Sequence, residues 1–179
     1  MKFGYVVLAV LLVTNAYQFS HTPAPVEGEV MLVMDGEYFD VAKRLIDGAN
    51  ESVLVIQFEV SYYEKYPDSK ANQLVEALVE ARQRNVDVRV ITDEFLNKYG
   101  DAADSAVRLL RSHGIDARLD GPEQTTHAKV IVVDGEYVLV GSTNWSFTSM
   151  EKNHEVNVLV RSGGLADDLE EYFDSVWND

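Results

Sequence analysis

The chain has 179 residues, 15 Lys and Arg against 30 Asp and Glu, and no cysteine, for a formal net charge of −15. Its 46% hydrophobic and 25% charged residues are those of a globular protein, and the length suits one domain with a full core. The missing cysteines exclude disulfides, thiolate metal sites, cysteine nucleophiles and a lipoprotein anchor, and the acidity opposes capture of nucleic acid by a broad basic surface.

Lys2 is followed by an uncharged apolar run from Phe3 to Val13. In helical form that run covers about half of a hydrocarbon core of about 30 Å. A basic start, a short apolar stretch and the small residue Ala16 fit a secretory signal, cleaved after Thr14-Asn15-Ala16. Extended through Tyr17 and Phe19, the same segment is an uncleaved membrane anchor. Residues 1–19 are therefore expected to be a signal peptide or an anchor. The protein is expected to be exported to the periplasm or outside, or held at a membrane by residues 3–19. Residues 20–28, with His21-Thr22-Pro23-Ala24-Pro25, form a linker, because the two prolines resist both helix and central strand.

From residue 29 to 179 the apolar period alternates between two and 3.6. Strands are predicted at Val30–Val33, Ser52–Phe58, Val86–Thr92, Ile115–Leu119, His127–Val133, Tyr137–Gly141 and Glu155–Val160. Helices are predicted at Glu37–Ala49, Ser69–Asn85, Ala103–His113 and Leu165–Trp177. Ser52–Phe58 is almost continuously apolar, as expected of a strand covered on both faces. This pattern predicts an α/β fold, a mixed β-sheet flanked by helices on both faces.

The stretch from His127 to Asn144 concentrates the chemistry. Two β-rich runs flank Asp134-Gly135, the dipeptide of two-residue type I′ hairpins. That turn predicts a register pairing Val133 with Glu136, Ile131 with Val138, Lys129 with Val140 and His127 with Ser142. Opposed residues share a face, so His127, Lys129, Ser142 and Asn144 are expected on one side. An imidazole, an ammonium, a hydroxyl and an amide in one place suit a phosphate with an acid–base or nucleophilic group at its centre. His113 closes a helix before Gly114, where a cation favours the helix dipole. His154 alternates away from Glu155, and His21 lies in the linker. Tyr62, Tyr63 and Tyr66 read as part of a solvated loop, or as rings that stack bases or touch lipid beside the site.

His127, Lys129 and Asp134 resemble the HxK(x)4D motif of the phospholipase D superfamily, and Gly141, Ser142 and Asn144 its following GSxN element. Asn153-His154-Glu155 is similar to the Asn-x-Glu of secreted single-motif endonucleases in that superfamily. The resemblance runs through most of residues 29–178 and implies a phospholipase D-like αβα sandwich. It also implies a metal-independent phosphodiesterase with no cofactor. His127 would attack phosphorus to form a phosphohistidine, and a second histidine would protonate the leaving oxygen. Lys129 and Asn144 would hold the non-bridging oxygens, Ser142 would assist at the phosphate, and Glu155 would orient the imidazole. Asp134 is a catalytic candidate by motif, although the turn makes it a hairpin residue first.

One motif per chain supplies half of such a site, so a C2 homodimer sharing one active site is expected. With an ordinary histidine pKa of about 6.5, activity is expected to peak at mildly acidic to neutral pH. The leading expectation for substrate is nucleic acid, cut by an endonuclease without sequence preference. The alternative is a phospholipid, hydrolysed by a phospholipase D or cardiolipin-type enzyme at a membrane. Removal of Lys2 with the signal would take the charge to −16, so nucleic acid needs a local basic cleft. Arg82, Arg84, Arg89, Lys98, Arg108, Arg111 and Arg118 are the candidates to build one beside Lys129.

Overall fold

Seven strands form one mixed sheet in the computed structural model, which describes residues 28–94, 102–121 and 123–179. In chain order the elements are β1 (Val30–Met34), α1 (Glu37–Gly48), β2 (Ser52–Gln57), α2 (Lys70–Gln83), β3 (Asp87–Asp93) and α3 (Ala102–Ser112). They continue with β4 (Asp116–Asp120), β5 (Lys129–Val133), β6 (Tyr137–Gly141), α4 (Phe147–Glu151), β7 (Val156–Arg161) and α5 (Gly163–Asn178). The sheet order is β1-β7-β6-β5-β2-β3-β4; β2, β3 and β4 are parallel and the remaining pairs antiparallel.

The expected α/β class and helices on both faces are present, and the expected strands and helices appear with ends displaced by a residue or two. The short helix α4 was not anticipated. Residues 1–27, which carry the expected signal or anchor and most of the linker, lie outside the described residues. Among the described residues no helix is long and apolar enough to cross a membrane.

Side-chain period explains the layers. On α1, Tyr38, Val41, Ala42 and Ile46 recur at helical spacing and are buried. With α2 and α3 they cover one sheet face, packing on Val53, Val55, Val90, Ile131, Val133 and Leu139. The other face carries Leu54, Ile56, Val130, Val132 and Val138 beneath Ala166 and Phe173 of α5. α2 begins where Ser69 Oγ accepts from Asn72 N at 3.3 Å, an N-cap that satisfies an otherwise orphaned donor.

The hairpin corrects the expected register. Asp134 and Gly135 have φ of 54° and 59°, and Glu136 N donates to Val133 O at 3.1 Å, so the type I′ turn forms. The ladder then resumes with Val133 opposite Tyr137, not Glu136, and continues Val132–Val138, Ile131–Leu139 and Val130–Val140. Glu136 is an extra residue, a bulge. It leaves the ladder because its carboxylate takes Arg161 Nε at 2.6 Å and its carbonyl accepts from Ser162 N at 2.8 Å. A slip of one residue exchanges the faces that opposed residues share. The polar groups of the site therefore do not meet through ladder pairing; the loop after β6 brings them round.

Candidate active site

The site forms at the end of the sheet where β5 begins and β6 finishes, beside the end of β2 and the start of β7. Lys129 stands opposite Gln57 of β2, and Phe58 N extends the pairing by donating to Ala128 O at 2.9 Å. This sets the Phe58 ring 4.6 Å from the His127 ring, centroid to centroid, with the planes tilted by 45°. His127 is exposed, whereas Lys129 is only 8% exposed. The Lys129 ammonium donates to His127 O at 2.9 Å, lies 3.4 Å from His127 Nδ1, and sits 4.9 Å above the Phe58 ring. Burial pushes the Lys129 pKa down, against the pull of the Glu155 and Glu59 carboxylates.

The second half comes from the loop after β6. Asn157 of β7 stands opposite Gly141. Its Oδ1 accepts from Ser142 N and Thr143 N at 3.1 and 3.2 Å, and its Nδ2 donates to Thr143 Oγ1 at 2.8 Å and Val33 O at 3.2 Å. Glycine is required at 141 by this close approach: a Cβ there would stand 2.5 Å from the Asn157 Cα. The turn delivers the Ser142 hydroxyl to Glu155 Oε2, and Ser142 Oγ also accepts from Val156 N at 3.1 Å. Glu155 Oε1 accepts from the Ser149 hydroxyl and from Asn153 Nδ2 at 3.0 Å. Burial acts to raise the Glu155 pKa, but the hydroxyls of Ser142 and Ser149, the Asn153 amide and the charge of Lys129 together hold it below the ordinary carboxylate value.

Asn144 is tied to the same group, its N donating to Ser149 Oγ at 3.0 Å. Asn144 Oδ1 is buried and has no hydrogen-bond partner among the described residues. Such an acceptor costs about 1–3 kcal/mol, a cost that sites of function bear. Glu155 is fixed from behind: its N donates to Asp35 Oδ1 at 2.8 Å and its O accepts from Asp35 N at 3.0 Å, with Asp35 at a φ of 47°.

His127 and Lys129 are thus brought together, and Ser142, Glu155 and Asn144 form a second cluster whose charge acts on Lys129. Among the described residues no hydrogen bond joins Glu155 to His127; its carboxylate positions Ser142 and supports the Lys129 charge instead. Asp134 does not join either cluster. It lies at the far end of β5, where its carboxylate accepts from Asn50 N at 3.1 Å, Glu51 N at 2.8 Å and Ser52 N at 3.0 Å and secures the start of β2. His154 is fully exposed and 3.4 Å from Asp35 Oδ2, and His113 Nδ1 is 3.0 Å from Leu109 O at the end of α3.

Phe58, Ser149 and Asn157 were not anticipated. Asn157 had a signal, being a polar residue inside the apolar strand Val156–Val160. Ser149 had none, since it acts through α4. The expected basic cleft is also corrected. Arg82, Arg84, Arg111 and Arg118 donate to the carbonyls of Gly114, Ile46, Ala117 and Val176, while Arg89 and Arg108 pair with Asp174 and Asp104. Helix ends and strand edges needed those donors. Lys98 lies outside the described residues.

An exposed imidazole beside a buried ammonium, with a carboxylate acting on that ammonium and a carboxamide in the carboxylate's cluster, can attack and hold a phosphate diester. Comparison with known proteins agrees with that chemistry. Residues 42–177 match the family described as cardiolipin synthase, PLD-like domain. The chain belongs to this phospholipase D-like family, which includes hydrolases of phosphoric diester bonds.

A mitochondrial cardiolipin hydrolase of Xenopus laevis is 35% identical over 106 residues, 59% of this chain and 49% of the relative. A probable cardiolipin synthase of Bacillus subtilis is 28% identical over 97% of this chain and 34% of its own length. The chain spans about half the length of the cardiolipin hydrolases it matches. The crystal structure of Nuc, a phospholipase D family member from Salmonella typhimurium, superposes with a TM-score of 0.74 at 28% identity, covering 85% of this chain and 95% of that one.

Proposed function

We propose that the protein is a metal-independent phosphodiesterase that cuts nucleic acid through a phosphohistidine at His127. The observation that carries this reading is the exposed His127 ring held beside the buried Lys129 ammonium. Attack by the imidazole on phosphorus forms the P–N bond as the P–O bond to the leaving group breaks. Lys129 and Asn144 stabilise the charge that grows on the non-bridging oxygens. Ser142, held by Glu155, borders the phosphate. Water then displaces the imidazole and restores the enzyme.

The leaving oxygen needs a proton from the opposite side of phosphorus. His113 and His154, the other described histidines, are engaged elsewhere, which supports a homodimer in which the second copy of His127 is the acid. A face for that contact borders the site. Val30, Leu32 and Met34 of β1 lie opposite Val160, Val158 and Val156 of β7, and α5 leaves this outer face uncovered. Leu32 and Val156 are 61% and 58% exposed, and Val156 adjoins Glu155. The same apolar rim, with residues 3–19 as an anchor, is the observation favouring the second reading, hydrolysis of a phospholipid by an exported or membrane-held enzyme.

The test offers plasmid DNA, single-stranded DNA, RNA and phospholipid vesicles to the purified protein in EDTA. Cleavage of nucleic acid, lost about 1,000-fold or more in a folded His127→Asn variant, is expected. Activity abolished by EDTA would contradict the metal-free route, and hydrolysis of lipid alone would replace the nuclease reading with the second one.

A further inference from the structure

Beside the catalytic loop lies a groove of about 380 Å³ lined by Tyr63, Tyr66, Ser69 and Phe147. It adjoins a hollow of about 420 Å³ that shares Tyr66, Ser69 and Phe147 and adds Lys65, Lys70 and Glu151. Phe147 follows Asn144 by three residues, so the two Cα atoms are within about 11 Å by contour length alone. The groove is joined to the site by backbone: Trp145 N donates to Glu59 O and Ser61 N to Trp145 O, both at 2.9 Å, and Phe147 N donates to Tyr63 Oη at 3.2 Å.

The groove presents open rings on a fixed loop. Tyr66 and Phe147 are 68% and 51% exposed, so their rings are open to water rather than packed in a core. The loop that carries the tyrosines is nevertheless pinned. Asn72, fully buried at the start of α2, accepts from Tyr63 N at 2.8 Å and donates to Tyr63 O and Tyr66 O at 3.0 and 3.2 Å. The backbone beneath the rings, and the Tyr63 ring through its bond to Phe147 N, are held in advance and lose little freedom on binding a flat ligand.

The charge around the groove is mixed. The described arginines of the expected basic cleft are engaged elsewhere; Lys65 and Lys70 line this hollow with Asp68 and Glu151, Lys70 Nζ pairs with Glu151 Oε1 at 3.1 Å, and Lys152 Nζ stands 5.7 Å from the Phe147 ring centre. Open aromatic platforms, with Lys65 and Lys152 to meet a neighbouring phosphate, suit a π-faced base, whereas an acyl chain needs an enclosed apolar channel.

We propose that Tyr63, Tyr66 and Phe147 form a stacking subsite for an unpaired nucleobase next to the phosphate at His127, which makes single-stranded nucleic acid the preferred substrate. This inference rests on the nuclease reading and narrows it, because a base in a duplex is already stacked on both faces. Tyr63 and Phe147 are the platform, Tyr66 closes it from outside, and Lys65 meets the adjoining phosphate.

The test separates the subsite from the activity. The full-length His127→Asn protein is titrated with a single-stranded DNA oligonucleotide carrying 2-aminopurine, and with the same strand bearing an abasic unit at that place. Quenching of 2-aminopurine and a preference of roughly 10-fold or more for the base-bearing strand are expected. Adding Tyr66→Ala or Phe147→Ala brings that preference to near one, and Tyr66→Trp restores it. Because both rings are exposed, these variants keep the parent melting temperature. No quenching, equal binding of both strands, or loss of binding to phosphatidylglycerol vesicles in place of the oligonucleotide effect overturns the subsite. A wild-type protein that cuts no oligonucleotide, while the base preference of the His127→Asn protein persists, overturns the nuclease reading and leaves the subsite standing.

Discussion

Lys129 carries the conflict on which the site depends. Its ammonium is buried, so its proton is held less tightly than at the ordinary lysine value of 10.5, and Glu155 and Glu59 offset part of that loss. A lysine whose pKa falls on folding costs stability at neutral pH, and this cost fades as pH rises through the folded value. Activity follows the opposite sign, since the phosphate needs the charged form. The alkaline limb of kcat/KM is therefore expected below 10.5, and Glu155→Gln, which removes a raising charge, moves it lower still. A limb unmoved by that change in a pH–rate profile contradicts the link between the two residues. Glu155 itself has a depressed pKa, so its contribution to stability is full above 4.5 and is lost as pH falls through the lower folded value. His127 and Lys129 were legible in the sequence because their spacing carries chemistry. The restraint of Glu155 by Ser149 was not, because the donor is brought back by a helix of five residues.

At the scale of elements, the hairpin shows what the sequence encodes and what it leaves to packing. Asp134-Gly135 specified the turn. The bulge at Glu136 depended on Arg161 and Ser162, which arrive from β7 and the residue capping α5, so local pattern alone set the register one residue wrong. The same turn explains Asp134. Its carboxylate holds three backbone N–H groups at the start of β2, and Asp134→Ala is expected to cost about 2 kcal/mol of stability in denaturant titration. Its folded fraction should lose far less kcat than His127→Asn; an equal loss would return Asp134 to the catalytic group. Gly141 and Asn157 form the complementary device. Gly141→Ala drives a Cβ against the backbone of Asn157, and a loss of about 3 kcal/mol, together with activity, is expected because Ser142 and Thr143 depend on that amide. A variant as stable and active as the parent contradicts this role.

For the whole molecule, alternating periodicity was sufficient to read the α/β class, since strands buried on both faces and amphipathic helices leave few arrangements. The net charge of −15 became more informative once placed on the fold. Six acidic residues, Asp167, Asp168, Glu170, Glu171, Asp174 and Asp179, lie on or at the end of α5, whereas the hollow beside the aromatic groove is balanced, with Lys65 and Lys70 facing Asp68 and Glu151. The apolar outer face of β1 and β7 is the surface assigned to the proposed homodimer. Leu32→Asp is expected to give a folded species of half the mass in sedimentation, with activity reduced 100-fold or more; a fully active monomer would show that one chain holds both acid and nucleophile.

The proposed chemistry stands on a covalent step at His127. Rapid quench of the enzyme during turnover, followed by mass spectrometry of its peptides, detects that step. A phosphate-linked adduct on His127, stable in alkali and labile in acid, is expected to appear and decay at rates matching turnover. Product released at the full rate with no adduct on His127 would contradict it.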